Sequence, residues 1–142
     1  MSRSAIPPSL RRQISEQARH RCGYCLTAAI LVGSELEIDH LIPHSRGGKA
    51  EELNLWLACA GCNDIKSNRI YGTDPLSHRS VKLYNPRLQS WDRHFEWRDG
   101  GAIIEGLTAT GRATVELLRL NRPALVRSRR IWIVCGLHPP AD

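Results

Sequence analysis

The sequence predicts an α+β fold organised as strand, loop, strand and helix, and three observations predict it. Two C-x-x-C pairs, "CGYC" at 22–25 and "CAGC" at 59–62, bracket the segment. Between them an apolar run ends in Asp39-His40-Leu41-Ile42-Pro43 and gives way to a basic, glycine-broken loop, "HSRGGKAEE". A second short apolar run, "NLWLAC", leads into the second Cys pair, and "CNDIKSNRIYG" reads as a short helix ended near Gly72.

The elements follow in order. Prolines and Ser9, an N-cap residue, precede Leu10, Ile14 and Ala18 at helical spacing, which predicts a helix over about 9–20. A loop comes next, then a strand around Glu35–Ile42, stopped by Pro43. "GTDPLSHRSVKLYNPR" is rich in turn residues and reads as a linker. "HFEWR" and "AIIEGL" flank the turn signal Asp99-Gly100-Gly101 and predict a hairpin. Thr108 caps a helix over "TATGRATVELLRLN", and Pro123 starts another that Gly136, Pro139 and Pro140 end. The expected organisation is a zinc-braced core over 1–75 and a basic extension over 76–142, made of linker, hairpin and helices packed on or beside that core.

The chain has 142 residues, 42% of them hydrophobic, which suits about one domain with an appendage. No apolar run approaches the roughly 18–20 residues of a membrane span, and "MSRSAIPPSLRRQ" lacks a leader-like stretch, so a cytoplasmic location is expected. Net charge is +6, from 20 Lys and Arg against 14 Asp and Glu. All but Lys49, Lys66 and Lys82 of these cations are Arg, whose planar fork binds two phosphate oxygens at once. That balance ranks nucleic acid first among partner classes, ahead of acidic protein or membrane surfaces, although a solvated basic surface would look the same. Six Arg lie between 112 and 130 against one acid, Glu116, so this tail could grip a phosphate backbone or be plain helix surface.

Five Cys in a chain expected to stay in a reducing compartment argue against disulfides. Cys22, Cys25, Cys59 and Cys62 have instead the duplicated spacing of a four-thiolate zinc site. Each pair turns tightly enough to bring both sulfurs to one tetrahedral ion, and the repetition favours zinc over four buried thiols or a redox pair. Cys135 has no partner and is expected to be a small buried hydrophobe.

Asp39-His40 could be a structural accident, a ligand set or an acid-base site. The surrounding pattern narrows the choice: "EIDHLIPHSRGG", then "NLWLACAGCNDIK", with "CGYC" upstream, resembles the HNH endonucleases, in the subgroup whose ββα-metal core is braced by a four-Cys zinc. These motifs cover about residues 20–70, and the later "YNPRLQSWDRHFEW…GLTATGRATVELLRLNRP" resembles the tail found on many bacterial HNH proteins. The resemblance implies metal-dependent DNA hydrolysis leaving 5′-phosphate and 3′-hydroxyl ends, with structural zinc, catalytic magnesium or manganese, and no organic cofactor. By the same resemblance His40 is the general base and Asp39 a ligand of the divalent cation. Asn63 stands at the last motif position as second ligand, where its amide oxygen in place of the frequent His tilts the metal choice toward magnesium or manganese. Asn54 is implied to hydrogen-bond the loop backbone and hold His40. Lys66, one turn beyond Asn63, is expected to face a phosphate, as are Arg46, Lys49 and Arg69.

One geometric difficulty stands out. Neighbouring residues on a regular strand point to opposite faces, so Asp39 and His40 need a twisted strand end or a bulge to share a site. His44 is expected at the surface or on a phosphate; His20, His78, His94 and His138 are expected to be structural or solvated, and the four Trp to pack. A zinc-braced module that binds nucleic acid without cutting it is the rival expectation. A zinc-knuckle adaptor for protein partners leaves the Arg excess and the Asp-His pair unexplained.

Overall fold

The computed structural model describes residues 6–142. The chain forms two compact units, Met1–Ile70 with Asn85–Leu88, and Tyr71–Tyr84 with Gln89–Asp142. Helices and small two-stranded sheets alternate through both, an α+β architecture as the sequence predicts.

In the first unit, helix α1 spans Pro8–Gln17, with Pro8 at the start where its missing N–H costs nothing. Ile14 and Ala18 bury one face of this segment, and Gln13 and Gln17 donate to Glu52 at 3.2 and 2.8 Å. A short helix α2, Ala29–Val32, follows the first Cys pair. Strand β1, Glu37–His40, pairs antiparallel with β2, Leu55–Ala58, in the register Glu37↔Ala58 to His40↔Leu55. Helix α3, Ala60–Lys66, leaves β2 directly through Cys59, whose Sγ accepts the Cys62 N–H at 3.4 Å. The result is strand, loop, strand, helix in the expected order, although α3 ends at Lys66, short of Gly72.

Two glycines are fixed by close approach. A Cβ on Gly23 would sit 2.4 Å from Trp56 Cδ1, so the first Cys pair presses flat against β2 only with glycine there. A Cβ on Gly48 would sit 1.7 Å from the Ile42 carbonyl oxygen. The "GG" loop is therefore tightly folded, not flexible: Gly48 N–H donates to Pro43 at 3.0 Å while Gly47 takes a positive φ behind a 3-10 turn at His44–Arg46. Arg87 belongs to this unit as well. Its guanidinium lies 4.9 Å above the Trp56 ring, donates to the Leu55 carbonyl at 3.0 Å and reaches Gln17 at 2.7 Å.

The second unit corrects the linker expectation. Strands β3, Tyr71–Thr73, and β4, Ser80–Lys82, form a hairpin within that stretch. Its turn is built on buried Asp74, which accepts from the Leu76 N–H, the Ser77 hydroxyl and the Arg112 guanidinium. After a short helix α4, Trp91–His94, the predicted hairpin is present as β5, Phe95–Arg98, and β6, Ile103–Gly106. Helix α5, Ala109–Leu118, is capped by Thr108, whose hydroxyl accepts the Gly111 N–H at 3.0 Å, and α6, Pro123–Val134, starts at Pro123.

Half of the Arg-rich tail is committed to this unit. Arg129 is fully buried, donating to the carbonyls of Ala102 and Leu120 and to Asn121, with its guanidinium 5.5 Å from the Trp97 ring. Arg112 binds Asp74 and Arg130 binds Asp99. Cys135 is exposed at the end of α6, not buried as expected, because α6 directs that position away from the core.

Candidate active site

The four Cys of the two pairs converge. Cys22, Cys25, Cys59 and Cys62 are buried, and their sulfurs all lie within 4.8 Å of one another. Cys25 and Cys59 Sγ are 3.8 Å apart. A tetrahedral zinc with bonds of about 2.3 Å has sulfur–sulfur edges of about 3.8 Å, so the cluster fits the ion. Hydrogen bonds from the Cys22 thiol first, then from Cys25 and Cys62, hold the Cys59 thiol well below its usual range, which favours the thiolate a metal needs. Burial pushes the Cys22 thiol up.

Beside this cluster, β1 and α3 face each other through two polar rungs. Glu37 and Asp39, two apart on β1, project to one side of the strand. Asn63 and Lys66, three apart on α3, share one side of the helix. Asn63 Nδ2 donates to Glu37 Oε1 at 2.9 Å, and Lys66 Nζ donates to Asp39 Oδ1 at 3.1 Å. The second carboxylate oxygen of Asp39 accepts the Tyr24 hydroxyl at 2.6 Å. Burial above all, then the neighbouring Asp39 charge, pushes the Tyr24 phenol upward, so it remains a hydrogen-bond donor.

Lys66 therefore corrects an expectation. Its ammonium does not face solvent for a phosphate; it is buried, 2% exposed, and also donates to the His40 carbonyl at 3.3 Å. Helical spacing places it on the side of α3 that faces β1, where it pairs with Asp39. The strand register is regular and contains no bulge, which leaves the strand end as the way for Asp39 and His40 to share the site. His40 is instead the last residue of β1, where the strand gives way to the loop.

Asn54 braces that loop. Its Oδ1 accepts the Ile42 N–H at 2.8 Å, and its Nδ2 donates to the carbonyls of Ile42 at 3.0 Å and Lys49 at 2.9 Å. The chain just beyond His40 is thus tied to the start of β2. Arg46 Nε donates to the Asn68 carbonyl at 2.7 Å, fixing the loop to the end of α3. His44, Arg46, Lys49 and Arg69 are exposed.

An open pocket of about 710 Å³ lies between β1, the 3-10 turn and α3. Asp39, His40 and Asn63 all line it, together with Glu37, His44 and Asp64. Glu37, His44 and Asp64 are thus brought to the pocket although sequence reading left them aside or unassigned. A signal for Glu37 was available: it stands two residues before Asp39, on the same strand face. Asn54 and Lys66 are not among the lining residues and act from behind.

Residues 22–69 match the family described as HNH endonuclease. This segment is an HNH domain. It contains both Cys pairs, the strand pair, the braced loop and α3, and its family is one of nucleases. No curated protein and no solved structure matches the chain. Among the described residues no helix is long and apolar enough to cross a membrane.

For a hard divalent cation the donor chemistry of the pocket fits. Asp39 and Asn63 offer carboxylate and amide oxygens, the ligands that magnesium and manganese prefer. Tyr24 donates to one Asp39 oxygen and Lys66 to the other, and each oxygen has two lone pairs, so these two bonds do not exhaust the carboxylate.

Proposed function

We propose that the HNH domain is a metal-dependent DNA endonuclease in which His40 is the general base and Asp39 and Asn63 hold one magnesium or manganese ion. The observation that carries this reading is the open pocket that His40, Asp39 and Asn63 line together. A phosphodiester resists attack because its charge repels nucleophiles and its alkoxide leaves poorly. His40 takes a proton from the attacking water, work suited to an imidazole near neutral pH. The cation, when bound, neutralises charge on the departing oxygen. Asn54 ties down the backbone that follows His40 and so limits where the ring can swing. The zinc is structural: its four protein ligands leave no open position.

Exposed Arg46, Lys49 and Arg69 are the cations we assign to the DNA backbone, with His44 beside them on the pocket wall. Reduced thiols at the zinc site accord with a cytoplasmic setting.

One observation favours a second reading, a zinc-braced module that binds DNA without cutting it. Asp39 is 3% exposed and already neutralised by Lys66. A cleavage assay on supercoiled and linear DNA, run with magnesium, manganese, nickel or zinc, separates the two. The nuclease reading expects wild type to nick or cut with magnesium or manganese. His40→Ala is expected to lose cleavage while keeping zinc and its far-UV spectrum. Cleavage by His40→Ala at the wild-type rate removes His40 as base. DNA retardation without cleavage by wild type, under every metal, replaces the nuclease with the binding module.

A further inference from the structure

The Glu37–Asn63 rung bears on which atom Asn63 presents to the pocket. A carboxylate only accepts hydrogen bonds, so the amide must turn its nitrogen, not its oxygen, toward Glu37. Asn63 Nδ2 does so at 2.9 Å from Glu37 Oε1. An unheld asparagine can flip, and half of its orientations would offer a metal the wrong atom, an N–H donor.

We propose that Glu37 is a positioning residue for cation binding: its carboxylate fixes the Asn63 amide and leaves Oδ1 as the ligand atom offered to the pocket. The inference rests on the reading that Asn63 binds the divalent cation, and it deepens that reading by assigning the group that orients the ligand. Three features on the protein carry it. Glu37 and Asn63 both line the pocket. The rung runs parallel to the Asp39–Lys66 rung, which fixes the separation of β1 from α3 and keeps Glu37 within reach of Asn63. Glu37 is also paired in the β1–β2 register, opposite Ala58, so its backbone does not wander. Hydrogen-bond partners behind a ligand typically change metal affinity by roughly 10-fold to 100-fold, and the exposure of Glu37 puts it near the lower bound.

The test is titration of the zinc-loaded full chain with manganese in the absence of DNA, reading free Mn2+ by electron paramagnetic resonance. Glu37→Ala is expected to weaken Mn2+ binding about tenfold. Glu37→Gln, whose amide oxygen still accepts from Asn63 Nδ2, should stay within about threefold of wild type. In an Asn63→Asp background both ligand oxygens are equivalent and nothing remains to orient, so adding Glu37→Ala should cause no further loss. Zinc content and far-UV spectra check that each variant is folded. Equal weakening by Glu37→Ala in both backgrounds overturns the proposal and makes Glu37 a ligand itself. Unchanged Mn2+ affinity in Glu37→Ala overturns it as well, while a wild type that still cuts DNA leaves the nuclease reading intact. Wild type that neither binds Mn2+ nor cuts overturns both.

Discussion

Lys66 Nζ lies 3.1 Å from Asp39 Oδ1, and each side chain keeps only 3% of its surface. This is a buried ion pair at the floor of the candidate active site. Its partners come from α3 and β1, and the Tyr24 hydroxyl closes the other side of the carboxylate. Two charges have been withdrawn from water together, so removing one strands the other.

That asymmetry sets the first prediction. Lys66→Met leaves Asp39 buried without its cation and should destabilise the zinc-loaded protein by roughly 3–5 kcal/mol. Adding Asp39→Asn to Lys66→Met should recover part of the loss, since no charge then remains unpaired. Urea unfolding of wild type, both single variants and the double variant measures the coupling. A Lys66→Met midpoint equal to that of wild type would show that the pair is not buried in solution.

Asn54 supports a second prediction about the loop. Asn54→Ala deletes three hydrogen bonds to Ile42 and Lys49 and should cost roughly 1–3 kcal/mol. Asn54→Asp is nearly the same shape, yet it cannot donate to either carbonyl and should fare no better than alanine. Amide hydrogen exchange at Ile42 reads the acceptor locally: Asn54→Ala should exchange faster there, while Asn54→Asp keeps an oxygen for the Ile42 N–H. An Asn54→Asp protein as stable as wild type in urea would mean the two donor bonds contribute little.

The parts of the site that were legible in the sequence are those fixed by spacing. The Cys pairs, the strand ending at Asp39-His40 and the helix starting at the second pair each repeat a local pattern that short-range geometry dictates. Lys66 was illegible because lysine is nearly always exposed, and only the fold brings Tyr24 and Asp39 to it. Periodicity would have helped, since 37 and 39 share a strand face and 63 and 66 share a helix face. The β3–β4 hairpin was missed because three-residue strands separated by a turn that opens on Asp74-Pro75 look like loop; the Arg112 guanidinium that stabilises their turn lies far away in the chain. The same long-range pairing commits Arg112, Arg129 and Arg130, half of the Arg tail, to the fold.

Exposed cations should report themselves through salt. If Lys49 and Arg69 meet DNA phosphates, replacing either by Gln should lower the steepness of log affinity against log salt by about 0.9 each on duplex DNA. His40→Ala protein, which leaves DNA uncut in the proposed mechanism, allows the titration to be run with magnesium present. Slopes unchanged by both substitutions would move the DNA contact away from this loop and helix end.

The second unit carries an acid-sensitive contact of its own. Hydrogen bonds from Arg112 first, then from the turn around Leu76 and Ser77, hold the Asp74 carboxyl well below the usual carboxylate range. A carboxylate with a depressed folded-state pKa stabilises fully above its unfolded value of about 3.9 and loses that contribution as pH falls through the folded value. Asp74→Asn should therefore be less stable than wild type at pH 6, with the gap narrowing steadily below about pH 4. Thermal unfolding at stepped pH measures it. A gap that stays constant down to pH 2 would detach Asp74 ionisation from stability.

Zinc should be the strongest single support of the HNH domain. The four sulfurs tie the segment before β1 to the start of α3, and structural zinc contributes about 10–16 kcal/mol in small zinc-dependent folds. That is as large as the roughly 5–15 kcal/mol by which whole domains are stable, so a strong chelator should unfold the first unit rather than merely inactivate it. Acid should act in the same direction, because zinc binds thiolates and protonation releases it. Cys59→Ala removes the sulfur that both binds the ion and caps α3 at the Cys62 N–H. It should lose zinc and solubility together, whereas Cys135→Ala should change neither. Metal analysis alongside thermal unfolding decides the matter: a Cys59→Ala protein with full zinc and wild-type stability would remove the metal from the fold's foundations.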